Sequence, residues 1–66
     1  MKSTRWYMKY LQKYFDAHYG EYADSAGWLV NPAPNKWQFI ILELNRKVTL
    51  TCDDSGHVTE EKYFIN

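Results

Sequence analysis

The side chains that ionise nearest to neutral pH are few in this 66-residue sequence: two histidines and one cysteine. His18 falls within RWYMKYLQKYFDAHYGEY, residues 5–22, one helical turn from both Tyr14 and Tyr22. Side chains four apart meet on a helix, so His18 reads in two ways. It is a general base in a small pocket, or a histidine at the edge of an aromatic core with one ring nitrogen hydrogen-bonded. No nucleophile or orienting partner accompanies it, and the second reading is preferred.

The stretch CDDSGH gathers Cys52, Asp53, Asp54 and His57. A weak metal site or a Cys–His nucleophile would need these groups to converge. Alternation instead sends Cys52 inward with Val48 and Leu50. Asp53 to Gly56 are left at a hairpin tip, where Asp, Ser and Gly are the residues turns require. Read as a calcium loop with Gly56 at its sixth place, the segment would begin at Thr51 and end at Lys62, which fails at both ends. Glu60 and Glu61 are adjacent, face opposite ways on a strand, and read as exposed gatekeepers of an edge. Gly20, Gly27 and Gly56 lie too far apart to form a phosphate loop. The chain is expected to be non-catalytic, with no cofactor and no metal.

A basic stripe remains. Lys2, Arg5, Lys9 and Lys13 fall within an arc of about 80° at 100° per residue. Arg5, Lys9 and Lys13 are the candidate phosphate contacts of a nucleic-acid binder, with Trp6 and Tyr10 as stacking groups. Asp16 interrupts the stripe, which equally describes an ordinary solvated helix face. A membrane surface is the weaker reading, because tyrosines dominate the opposite side.

These residues need an element to carry them. Tyr7, Leu11, Tyr14, Phe15, His18 and Tyr22 share one helical arc, with Trp6, Tyr10 and Tyr19 on its flanks. The spacing predicts an amphipathic helix over about 4–22, capped by Ser3 or Thr4. Beyond Ala23, β-branched and aromatic residues cluster between turn signals. Strands are expected at about 28–30, 36–44, 47–52 and 57–65, with NPAPN as a loop. Short connections make neighbours antiparallel. The expected fold is α+β, one N-terminal helix packed on a three- or four-stranded antiparallel meander, in a single domain. The order of helix then three strands resembles the first part of a double-stranded RNA-binding domain, whose basic second helix has no counterpart in these residues.

Aromatic residues make up 18% of the chain, so a few large rings can supply a core that a domain this small would otherwise lack. Eight basic residues balance eight acidic ones, and overall charge therefore gives no reason to expect nucleic acid. One cysteine allows no internal disulfide and suits a reducing cytosol; no apolar run approaches the ~20 residues of a membrane span.

One helix covers one face of a small sheet, and alternation should leave the other face polar. KWQFIILEL departs from that rule. Trp37, Phe39 and Ile41 alternate with Ile40, Leu42 and Leu44, so one set is expected to face outward. Trp28, Trp37, Ile40, Leu42 and Tyr63 are accordingly the candidate protein-binding residues. The expected function is a small non-catalytic cytosolic protein-binding module, whose partner is another protein or a second copy of itself. The alternative is the nucleic-acid binder using Arg5, Lys9 and Lys13.

Overall fold

The computed structural model describes residues 2–24 and 26–65, the side chains of residues 26–28 excepted. Helix α1 runs from Thr4 to Tyr19. It starts at Ser3, whose hydroxyl accepts the Trp6 N–H at 3.2 Å and so satisfies one of the donors a helix start leaves free. Its last turn tightens into a 3₁₀ segment, Gly20–Tyr22. Gly20 keeps right-handed helical angles, φ −57° and ψ −35°, so it continues the turn rather than ending it in the left-handed region.

Four strands follow: β1 (Ala26–Ala33), β2 (Lys36–Ile41), β3 (Arg46–Cys52) and β4 (Val58–Phe64). They form one sheet in the order β1-β2-β3-β4, each antiparallel to the next. The molecule is thus an α+β fold, a helix on a four-stranded meander.

Two boundaries differ from the sequence reading. β1 extends through Pro32, within the expected loop, because an outer strand can place a residue lacking an N–H where no neighbour needs a donor. β2 ends at Ile41 rather than Leu44. Leu42–Leu44 turns as a 3₁₀ segment closed by the Asn45 N–H to the Leu42 carbonyl at 3.0 Å, and Asn45 takes the left-handed conformation, φ 55°.

Register then assigns the faces. Trp37, Phe39 and Ile41 pair with Leu50, Val48 and Arg46, and these pair in turn with Glu60, Lys62 and Phe64. This is the helix side. Tyr7, Leu11 and Tyr19 of α1 meet Trp37, Phe39, Ile41, Val48, Leu50 and Cys52 in one buried cluster. Phe15 joins them, its ring edge-on to Phe39 with centroids 5.1 Å apart. Each buried aliphatic or aromatic side chain stabilises the fold by about 1.5–3 kcal/mol relative to exposure. The opposite face carries Gln38, Ile40, Lys47, Thr49, Thr51, Glu61 and Tyr63, mostly polar, as a solvated face should be.

Two further positions are corrected. Tyr19, placed by its spacing on the flank of the helix arc and not at its centre, is buried. Its ring packs on Phe39, centroids 5.3 Å apart, and its hydroxyl donates to Glu60. Glu60, expected exposed, therefore faces the helix and is half-buried, while Glu61 points to the open side.

Candidate functional site

The residues that looked capable of chemistry are occupied by structure. In the β3–β4 turn, one oxygen of Asp53 accepts the Ser55 N–H at 2.9 Å, the Ser55 hydroxyl at 2.7 Å and the His57 N–H at 2.9 Å. These hydrogen bonds, the Ser55 hydroxyl's first among them, hold the Asp53 carboxyl below the usual carboxylate range. Asp54 accepts the Tyr7 hydroxyl. Cys52 is buried, and burial pushes its thiol up, with Asp53 and Asp54 adding to the effect. A buried, protonated thiol is a poor nucleophile. Gly56 adopts φ 89°, which favours glycine, and a Cβ there would sit 2.9 Å from the Tyr10 ring and force that ring to shift. Among the described residues no group of three His, Cys, Asp or Glu side chains is placed to hold a metal ion.

His18 is exposed and lies on Tyr14, ring centroids 4.2 Å apart. Both line an open cleft of about 510 Å³ between α1 and the β3–β4 hairpin, with Tyr10, Lys13, His57 and Val58. No cysteine, serine or carboxylate lines it.

Arg5, Lys9 and Lys13 are exposed on the outer face of α1. Two of the stripe's ammonium groups lie over the rings proposed for stacking: Lys2 Nζ is 5.3 Å from the Trp6 ring centre and Lys9 Nζ 5.0 Å from that of Tyr10. Cation–π contacts thus cover ring faces that a base would need.

The five protein-binding candidates separate. Trp37 is removed from that surface: at 6% exposed it lies in the core beside Phe15. The physical reason is parity, since β2 places odd-numbered side chains under the helix. Ile40 is on the open face but half-buried, between Lys47 and the backbone of Gly27. The side chain of Trp28 lies outside the described residues. Leu42 and Tyr63 are exposed, at 74% and 52%.

Leu42 does not continue β2, however. It sits on the turn between β2 and β3, at the sheet end where Ile41, Arg46 and Phe64 form the last row. Leu44 and Phe64 join it there, Phe64 73% exposed with its ring 3.9 Å from the Arg46 guanidinium carbon. The Ile65 N–H donates to Asn45 at 3.0 Å and ties the end of β4 to this turn. The exposed apolar residues lie toward one end of the sheet, not along its face: Leu42 and Leu44 on the turn after β2, Phe64 on the helix side of β4 and Tyr63 on its open side.

Leu44 and Phe64 were not singled out as site residues by the sequence. The turn signal at Asn45 puts the strand's end at Leu44, and nothing local in the sequence shows that Leu42–Leu44 already belong to the turn. Among the described residues no helix is long and apolar enough to cross a membrane. Comparison with protein-family models, curated proteins and solved structures finds no match to any of them.

Proposed function

We propose that this chain is a small non-catalytic protein-binding module that engages its partner through the apolar sheet end formed by Leu42, Leu44, Tyr63 and Phe64. The observation that carries the reading is that exposure: two large apolar side chains, Leu42 and Phe64, stand more than 70% in solvent, with half-exposed Leu44 and Tyr63 toward the same end of the sheet. Exposed apolar residues scattered singly need no explanation, but grouped ones on a small protein mark an interaction site. A buried, unreactive Cys52 suits residence in a reducing cytosol.

The test uses Leu42→Asp, which lies in a turn and removes no core contact. Wild type and variant, immobilised separately, would be exposed to extract of the source cell, and retained protein and nucleic acid both identified. A protein retained by the wild type and lost with Leu42→Asp, at unchanged circular dichroism, is the expected result. Equal retention by both overturns the assignment of the surface. Retention of nucleic acid alone, lost on charge reversal of Lys9 and Lys13, would transfer the function to the helix stripe.

A further inference from the structure

The two outer strands of the sheet are unlike. β1 contains Pro32, and its pairing with β2 shifts register twice, between Gly27 and Val30 and between Val30 and Ala33. Prolines and bulges blunt an edge by their geometry, and charges such as Glu60, Glu61 and Lys62 of β4 do so only against a partner that does not match them. β4 has neither. It pairs residue for residue with β3 from Val58 through Phe64 without a break.

The hydrogen-bonding direction of β4 follows from its neighbours. Cys52 directs both its N–H and its carbonyl at Asn35, each at 2.9 Å, and so bonds toward the β2 side. Alternation then turns Lys47, Thr49 and Thr51 toward β4, where they oppose Tyr63, Glu61 and Thr59. The Ile65 N–H on the Asn45 carbonyl keeps the same phase. The N–H and C=O groups of Val58, Glu60, Lys62 and Phe64 therefore point away from the sheet, as a regular unpaired ladder.

We infer that this edge pairs with the β4 edge of a second copy, antiparallel about a two-fold axis at Glu61, joining two sheets into one of eight strands. The register is set by complementarity. With Glu61 on the axis, Glu60 opposes Lys62 of the second copy twice over, and Val58 opposes the exposed ring of Phe64 twice over. A slip of two residues one way sets Lys62 against Lys62 and Glu60 against Phe64. A slip the other way sets Glu60 against Glu60 and Val58 against Lys62. Only the central register turns both charges into pairs. Lys62 is free enough to serve, with its side chain 56% exposed and Nζ 3.9 Å from its own Glu60.

The helices permit the approach. α1 packs over β3 and β4, so helices above the two β3–β4 seams would stand two strand spacings apart, about 10 Å. That is the distance at which helices pack, so they would meet side by side without overlapping. One feature opposes the dimer: Glu61 meets its own copy across the axis on the open face, and directly opposed like charges destabilise a strand pair. This repulsion gives the proposal a signature that a nonspecific apolar contact lacks.

The inference deepens the protein-binding reading by naming a second copy as one partner, and its test leaves Leu42 untouched so that the two can fail separately. Sedimentation equilibrium up to about millimolar protein is expected to show a reversible dimer. Glu61→Gln should tighten it about two- to fivefold, and Lys62→Glu, which makes both ion pairs repulsive, should weaken it about tenfold or more. Amide exchange of the wild type supplies a readout that needs no variant: the N–H groups of Val58, Glu60, Lys62 and Phe64 should gain protection as concentration rises, while those of β1 do not. A strict monomer at millimolar concentration overturns the inference, as does a dimer in which these four amides stay unprotected or Glu61→Gln has no effect.

Discussion

Two tyrosine–carboxylate contacts fasten α1 to the hairpin, one toward each end of the helix. Tyr7 donates to Asp54 in the β3–β4 turn, and Tyr19 donates to Glu60 in β4. Each ring is buried while its hydroxyl finds an acceptor, which is how a tyrosine enters a core without an unmet polar group. Burial first, and then the Glu60 carboxylate, pushes the Tyr19 hydroxyl far above its ordinary ionisation range. Tyr7 is raised as well, chiefly by its hydrogen bond to Asp54. In the unfolded chain a tyrosine ionises near about 10. Above that pH the unfolded state releases protons that the folded state retains, so stability present below about pH 10 should fall as pH rises further. Tyr19→Phe should lose about 1–3 kcal/mol at neutral pH by leaving Glu60 without its donor, and should flatten the alkaline decline. Thermal melts of both proteins between neutral and alkaline pH check this; parallel curves would place the linkage on another group.

At the scale of elements, the parts of the fold that rest on periodicity were legible and the parts that rest on termination were not. The helix could be read because its apolar residues recur every three or four positions while lysines fill the other side. The strand from Lys36 was legible for its parity, but IILEL alternates as well as any strand does, and the 3₁₀ turn Leu42–Leu44, closed by the left-handed Asn45, ends it at Ile41. That one turn moved Leu42 and Leu44 from an imagined sheet face to the sheet end, and with them the candidate site. Pro32 misled in the opposite sense, since a proline that stops a central strand is harmless on an outer one. The Tyr19–Glu60 contact joins residues 41 apart in sequence and left no local trace. The same distinction bears on the basic stripe, whose face was legible but whose use was not. Lys2 and Lys9 lie over Trp6 and Tyr10, so a single strand is expected to bind no tighter than about micromolar at physiological salt. Titration of a labelled oligonucleotide over a range of salt decides it. If Arg5, Lys9 and Lys13 did contact phosphates, the logarithmic salt slope would drop by about one unit for each charge removed.

For the molecule as a whole, what must be explained is how a chain this short, whose one cysteine is free, holds a helix on a sheet. The centre of the answer is one phenylalanine. Phe39 is fully buried, and the rings of Phe15 and Tyr19 both meet it edge-on, with centroids 5.1 and 5.3 Å away. Edge-to-face pairs add about 0.5–1.5 kcal/mol each beyond the area they bury. Phe15 stands differently: it is only half-buried, at the helix margin beside Trp37, and water can reach the space its removal would leave. Two replacements of the same chemistry should therefore have unequal costs. Phe39→Ala should cost about 3–5 kcal/mol, which for a domain of marginal stability means a largely unfolded population. Phe15→Ala should cost measurably less and leave a cooperative transition, because partial collapse and solvation fill the margin but not the centre. Urea denaturation followed by tryptophan fluorescence compares them directly, with Trp37 reporting from the same cluster. Equal destabilisation would mean that the helix margin is as tightly sealed as the sheet centre, and that the core extends further under α1 than its burial indicates.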